Sequence, residues 1–140
     1  MDLGHWKKSD SISEFGDAEK ELFGFVYKIT LSGGLWYIGS KQLQSKKKRK
    51  PLKGKTRCRR SLVESDWRCY TSSSNLINDY ISKHGKNEIV FEILTFVRGG
   101  KFELKYCEMK HQVEKNCLFD ANCLNGIINV RLGKKKIFNF

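Results

Sequence analysis

Apolar and polar positions along the chain divide it into short segments with different periodicities. Residues 24–30, GFVYKIT, and residues 35–38, LWYI, are rich in aromatic and β-branched residues, and Ser32-Gly33-Gly34 lies between them. Such residues favour strands, and a serine–glycine connection favours a tight turn. The pattern therefore predicts a β-hairpin.

Two helices and a further strand are predicted after the hairpin. Residues 72–84 place four apolar residues at helical spacing, with serines before them and Gly85 after them. Residues 89–96, IVFEILTF, form an apolar run of strand length that ends before a glycine pair. Residues 101–118 predict a second helix. Its buried stripe is predicted to contain Phe102, Tyr106, Met109, Val113 and Cys117.

The order of these segments predicts a single α/β domain over residues 23–133. We expect a small mixed, largely antiparallel three-stranded sheet flanked by helices. Residues 1–22 are predicted to be an N-terminal extension, in which Ser11 and Glu14 have the spacing of a helix capping box. Residues 134–140, KKKIFNF, are predicted to be a basic and aromatic tail.

The charge distribution points to a polyanionic partner. The chain of 140 residues carries a net charge of +12, and such a balance favours nucleic acid or an anionic surface. Between Lys46 and Arg60 ten of fifteen residues are basic and none is acidic. We predict a mobile, solvated basic loop over residues 41–65 that contacts phosphates. The predicted contact residues are Lys41, Lys46, Lys47, Lys48, Arg49, Lys50, Arg57, Arg59 and Arg60.

Other protein classes fit the sequence less well. There is no run of 18 or more apolar residues and no signal-peptide core, so neither a membrane span nor export is predicted. The five cysteines then suggest reduced intracellular thiols. A zinc site on Cys107, His111, Cys117 and Cys123 is disfavoured because no CxxC pair is present.

Two short motifs of the hairpin occur in a known family. Gly24-Phe25-Val26-Tyr27 and Tyr37-Ile38-Gly39, with tyrosines ten residues apart, resemble the paired signature of the GIY-YIG nuclease superfamily. The later blocks SDWRCYTSSSNLINDYISKHGKNEIVFEIL, YCEMKHQ and GIINV are similar to SegE-like homing endonucleases of phages. The resemblance covers roughly residues 24–131. It departs at Phe25-Val26, where one hydrophobic residue is usual.

The resemblance implies a DNA endonuclease that uses Mg²⁺ or another divalent cation. Glu108 would bind the metal, although helical periodicity places it off the predicted stripe and does not distinguish it from Glu103 or Glu114. Tyr27 would act as, or help to position, the general base. This role requires neighbouring cations that lower the pKa of its phenol. Tyr37 would hold the water or the phosphate.

The family's functional arginine has several candidates in this sequence. Arg49, Arg57, Arg59, Arg60 and Arg68 all follow the second tyrosine. We favour Arg68, which lies beside the predicted helix start, and Lys41 could share its role. The resemblance also implies structural roles for Gly24, Gly39 and Asn129, of which Gly39 would let the backbone approach the substrate.

Alternative functions are kept for comparison. The first is a non-catalytic nucleic-acid-binding module that retains the GIY-YIG fold, and the second is a protein that binds RNA or a membrane surface. For the endonuclease we expect DNA as partner, no membrane, a monomer or weak homodimer, and a location in the cytoplasm of a bacterial host.

Overall fold

A computed structural model describes residues 1–128 and 131–133, within which lie six strands and two helices. The elements in chain order are β1 (Lys7–Phe15), β2 (Gly24–Thr30), β3 (Trp36–Gln42), β4 (Gln44–Arg49), β5 (Arg59–Glu64), α1 (Asn75–His84), β6 (Val90–Val97) and α2 (Lys101–Glu114). The predicted hairpin, both predicted helices and the third predicted strand are therefore confirmed. Asn129 and the tail 134–140 lie outside the described residues.

The main sheet has four strands in the order β1-β6-β2-β3, rather than the predicted three. β2 pairs antiparallel with both β3 and β6, and β1 pairs parallel with β6. The helix expected near Ser11 and Glu14 is wrong, because that segment forms the edge strand β1. Just before it, Trp6 is buried against Phe25 and Phe91, so the N-terminal segment is packed into the core.

The basic segment is a second, two-stranded sheet rather than a mobile loop. β4 and β5 pair antiparallel over six residue pairs, from Gln44↔Glu64 to Arg49↔Arg59. Pairing satisfies the backbone hydrogen-bonding groups even though the strands bury little surface. The base of this sheet is closed by a hydrogen bond from Ser65 N to Leu43 O at 2.9 Å. We call residues 44–49 with 59–64 the basic ribbon.

The inward face of α2 differs from the predicted stripe. Leu104, Cys107 and Gln112 are buried, whereas Phe102, Tyr106 and Val113 of the predicted stripe are exposed by 37%, 43% and 59%. The helix rests on the β2–β3 side of the sheet, where Leu104 and Cys107 join a core cluster with Val26 and Ile38. Because Glu108 lies between Cys107 and Gln112, it is turned toward the sheet.

Candidate active site

Tyr27 is held deep inside the sheet. It is 1% exposed, and the centroid of its ring lies 5.0 Å from that of Trp6 and 6.2 Å from that of Phe25. The register places Tyr27 opposite Gly39 of β3, and residues directly opposite share one face of a sheet. A Cβ at Gly39 would lie 2.6 Å from Tyr27 Cζ. The space beside Gly39 is therefore filled by the Tyr27 phenol rather than left open for a substrate.

Three phenols form a cluster around this position. The Tyr27 ring centroid lies 6.3 Å from that of Tyr37 and 6.2 Å from that of Tyr70. Burial raises the pKa of Tyr27 well above 10.0, and the charges of Tyr37, Tyr70 and Glu108 add to the increase. Burial also raises the pKa of Tyr37, against the opposite effect of Ser73. Burial prevails in the chain alone, so the general-base role still requires cations that lower the pKa of Tyr27.

Glu108 reaches the same site from α2. Ser40 Oγ donates to Glu108 Oε2 at 2.8 Å, and Gln112 Nε2 lies 3.5 Å from Glu108 Oε1. Burial raises the pKa of Glu108, while Ser40 and Lys105 act to lower it. The charge of Glu108 contributes to the raised pKa values of both Tyr27 and Tyr37. The three side chains predicted from the resemblance are therefore brought together.

The site straddles β3, which is an edge strand of the main sheet. Successive residues of a strand point to opposite faces. Tyr37 accordingly packs against the cluster that contains Trp6, whereas Ile38 joins the cluster beneath α2. Ser40, two residues after Ile38, meets Glu108 on the α2 side. One edge strand thus carries groups that serve both halves of the site.

Lys41 provides the positive charge beside the phenols. Its Nζ lies 2.9 Å from Asp66 Oδ1 and 4.0 Å from the centroid of the Tyr70 ring. This ion pair lowers the pKa of Asp66. Sequence reasoning missed Tyr70, although it stands two residues after Arg68 in a block that carried the resemblance. A contact between a strand and a distant loop leaves no periodic signal.

Arg68 lies shortly before α1 and is bound to Glu64 and to the N-terminal segment. Its guanidinium pairs with Glu64, donates from Nε to the carbonyl of Asp2 at 2.9 Å, and lies 4.4 Å from the centroid of the Trp67 ring. These contacts attach Arg68 to the N-terminal segment. Between Arg68 and Lys41, Lys41 is the one that touches the phenol cluster.

Asn125 supports β3 from behind. Its Nδ2 donates to Ile38 O at 2.8 Å, and its Oδ1 accepts from Ile38 N at 2.9 Å. Gln112 Nε2 adds a third bond, to Ile38 O, at 3.3 Å. Asn125 therefore anchors β3, and the sequence did not single it out; the structural role implied for Asn129 falls outside the described residues. At the start of β2, a Cβ at Gly24 would lie 2.5 Å from Lys41 O, which accounts for its structural role.

Residues 6–128 match a family model described as "Putative endonuclease segE, GIY-YIG domain". The chain belongs to this GIY-YIG family. The match extends from Trp6 past Asn125, so it includes β1, both helices and the phenol cluster. The resemblance read from the hairpin motifs, including its SegE-like branch, is confirmed.

No curated protein and no solved structure matches the GIY-YIG chain. Within residues 1–128 and 131–133, neither helix has the length and apolar character needed to cross a membrane.

The donor atoms around Glu108 suit a hard divalent cation. A carboxylate, the Ser40 hydroxyl and the Tyr27 and Tyr37 phenols are all oxygen donors, and Mg²⁺ commonly uses one or two carboxylates with water and phosphate oxygens. In the described part of the GIY-YIG chain, no group of three or more His, Cys, Asp or Glu residues could hold a metal. These residues fit Mg²⁺ on a single carboxylate and do not fit a structural zinc site.

Proposed function

We propose that this GIY-YIG chain is a divalent-cation-dependent endonuclease that hydrolyses phosphodiester bonds in DNA. The observation that carries the proposal is the meeting of three side chains at β3: the Tyr27 and Tyr37 rings lie 6.3 Å apart, and Glu108 is held by Ser40, next to Gly39, at 2.8 Å. The family, whose description names an endonuclease, supports the same reaction.

Each residue has a role that follows from its surroundings. Tyr27 and Tyr37 are neutral in the free chain because burial raises both pKa values. Their hydroxyls orient the attacking water and a phosphate oxygen. Glu108 holds Mg²⁺, with Ser40 fixing one carboxylate oxygen. A bound cation supplies positive charge that stabilises the negative charge developing on the phosphate. As general base, Tyr27 requires enough positive charge nearby to outweigh its burial.

A protein cation is also needed at the phosphate. We assign this role to Lys41 first, since it lies against Tyr70 within the phenol cluster. Arg68 takes the role only if DNA draws its guanidinium away from Glu64 and Asp2. Replacing each with glutamine separates the two assignments, because the residue at the phosphate should lower the cleavage rate about a hundredfold.

The proposal extends to the setting of the enzyme. The basic residues from Lys46 to Arg60 bind the DNA backbone. We further propose that the enzyme is phage-encoded and of the homing type, and that it acts in the cytoplasm of a bacterial host as a monomer or weak homodimer. Double-strand cleavage by one small site requires either two copies or two successive cuts.

Nicking of supercoiled plasmid DNA in Mg²⁺ tests the proposal. Glu108→Gln should lower the nicking rate about a hundredfold or more, because it removes the charged metal ligand, while DNA binding persists. Glu114→Gln is the matched control on the same helix, since Glu114 makes only a surface ion pair with Lys110 at 3.9 Å. Undiminished nicking by Glu108→Gln would refute the assignment.

The competing function is a non-catalytic nucleic-acid-binding module. It is favoured by one observation, the attachment of Arg68 to Glu64 and the N-terminal segment. Salt-sensitive DNA binding by the unmodified chain, without cleavage in Mg²⁺ or Mn²⁺ on varied DNAs, would support the module over the enzyme.

A further inference from the structure

The basic ribbon carries positive charge on both of its faces. Residues directly opposite in an antiparallel pair share a face, and successive residues alternate. The register therefore defines two faces. The first face contains Gln44, Lys46, Lys48, Arg60, Leu62 and Glu64. The second face contains Ser45, Lys47, Arg49, Arg59, Ser61 and Val63. Each face thus has three cations.

This charge arrangement is unfavourable in the free chain. Lys48 lies opposite Arg60, and Arg49 lies opposite Arg59, and like charges directly opposite destabilise a sheet. Glu64 is the one acidic residue between positions 44 and 64. A polyanion on a single face would leave the cations of the other face unneutralised. Relief of both repulsive pairs requires negative charge on both sides of the ribbon.

The major groove of B-form DNA offers negative charge on both sides. Its two walls are lines of phosphates about 12 Å apart, and it admits a two-stranded ribbon. The basic ribbon therefore fits the groove with one face on each wall. The strand connection, residues 50–58, would then point to the base edges.

A groove on the protein surface joins the ribbon to the active site. Two adjoining cavities, of about 590 and 260 Å³, share Gln42, Gln44, Ser45 and Lys101 as lining residues. The larger is also lined by Lys46 and Leu62 of the first face. The smaller reaches Ser40 and Lys41, beside the Glu108 carboxylate. A DNA strand against the first face would be led directly to the cleavage site.

We propose that the basic ribbon inserts into the major groove of duplex DNA next to the bond that is cut. The first face contacts the phosphates of the strand that enters the active site, and the second face contacts the phosphates of the other strand. This inference rests on the proposed function in taking duplex DNA as the partner and in placing the cleaved bond at the active site.

The test measures binding of a Glu108→Gln chain to duplex DNA by fluorescence anisotropy over a series of salt concentrations. One variant replaces Lys46, Lys48 and Arg60 with glutamine, and its counterpart replaces Lys47, Arg49 and Arg59. Each variant removes three phosphate contacts. Because one contact contributes about 0.9 to the slope of log K against log salt, each variant should make that slope less steep by about 2.7. A control variant replaces three exposed lysines elsewhere with glutamine, Lys83, Lys86 and Lys115, and should leave the steepness unchanged.

Two further substrates report on the groove. Methylation of guanine N7, which lies in the major groove, should weaken binding at least tenfold. Duplex RNA, whose major groove is too deep and narrow for side chains, should also bind at least tenfold more weakly. Melting temperatures of both ribbon variants should match or exceed that of the parent, because repulsive pairs are removed.

The binding and cleavage results test the ribbon proposal and the endonuclease proposal independently. An effect of only one face, indifference to N7 methylation, equal binding of duplex RNA, or no DNA binding at all would each overturn the ribbon inference. Absence of cleavage by the unmodified chain in Mg²⁺, with all binding results as expected, would overturn the endonuclease and leave the ribbon in the groove.

Discussion

Replacing Gly39 with alanine should disturb the Tyr27 phenol directly. The new Cβ would lie 2.6 Å from Tyr27 Cζ and 3.0 Å from Tyr37 Cε1, whereas carbon atoms in contact normally stay about 3.5–4.0 Å apart. Tyr27 has little room to move, since Trp6 and Phe25 pack against it and it is 1% exposed. The φ angle of Gly39 is not positive, so the penalty comes from overlap and not from backbone strain.

The expected magnitude follows from this overlap. Overpacking a close-packed core costs about 1–3 kcal/mol, and contact with two rings places Gly39→Ala at about 2–3 kcal/mol. For a domain of this size the melting temperature should fall by about 6–12 °C. Nicking activity of the folded variant should also fall, because the methyl group displaces the Tyr27 and Tyr37 rings from their positions in the phenol cluster.

Circular dichroism melting and urea unfolding provide the assay. Gly126→Ala is the matched control, because a Cβ there meets nothing within 4 Å and should change stability by less than about 0.5 kcal/mol. In a Tyr27→Leu background, which lacks Cζ and the hydroxyl, Gly39→Ala should cost far less. A stability of Gly39→Ala equal to that of the parent, or the same cost in both backgrounds, would show that the Tyr27 ring does not fill the space beside Gly39.

Three further predictions concern Tyr70, Asn125 and the half-buried histidines His5 and His111. Tyr70→Phe keeps the ring beside Tyr27 but removes a hydroxyl, so nicking should fall about tenfold or more with little change in the melting temperature. Asn125→Leu leaves Ile38 N without its partner and should cost about 1–3 kcal/mol in urea unfolding. Burial lowers the pKa of His5 and His111 below 6.5. The unfolded chain then takes up protons first as pH falls, so stability should decrease below about pH 6.5, less steeply in a variant with both histidines replaced by glutamine.

Each of these has an outcome that contradicts it. Full activity of Tyr70→Phe would show that the Tyr70 hydroxyl takes no part in nicking. An unchanged urea midpoint for Asn125→Leu would mean that its bonds to Ile38 are replaced by water. A parent chain with the same pH dependence as the double histidine variant would show that His5 and His111 are not kept neutral by burial.

The helices and strands whose signals lie within a short stretch of sequence could be predicted from the pattern of apolar and polar residues. The hairpin from Gly24 to Gln42 was readable because aromatic and β-branched residues flank a glycine turn, and α1 was readable from its spacing. The strand β1 was not readable, since its residues are mostly exposed and polar. Its pairing is with β6, about 80 residues later in the chain, and such pairing leaves no mark on a short window.

The active site shows a different limit. Tyr27, Tyr37 and Glu108 were found through the resemblance, while hydrophobic periodicity placed Glu108 on the outer side of α2. In the structure α2 turns Glu108 toward the sheet beside Gln112. Two polar residues therefore occupy the inward face of the helix, where apolar residues would give more stability. Such local contradictions are typical of functional sites. The basic ribbon was predicted to be a mobile loop because a run of like charges repels itself and disfavours regular structure. The paired strands show that backbone hydrogen bonding prevails over this repulsion.

The hydrogen bond between Ser65 and Leu43 joins the two ends of the basic ribbon, so the ribbon can be exchanged as a unit. Both ends of the hairpin leave the domain at one hydrogen-bonded point, so its length and composition can change while Tyr37 and Glu108 stay in place. Grafting a hairpin of other sequence between these two positions would offer a way to redirect cutting to new DNA without rebuilding the catalytic strand.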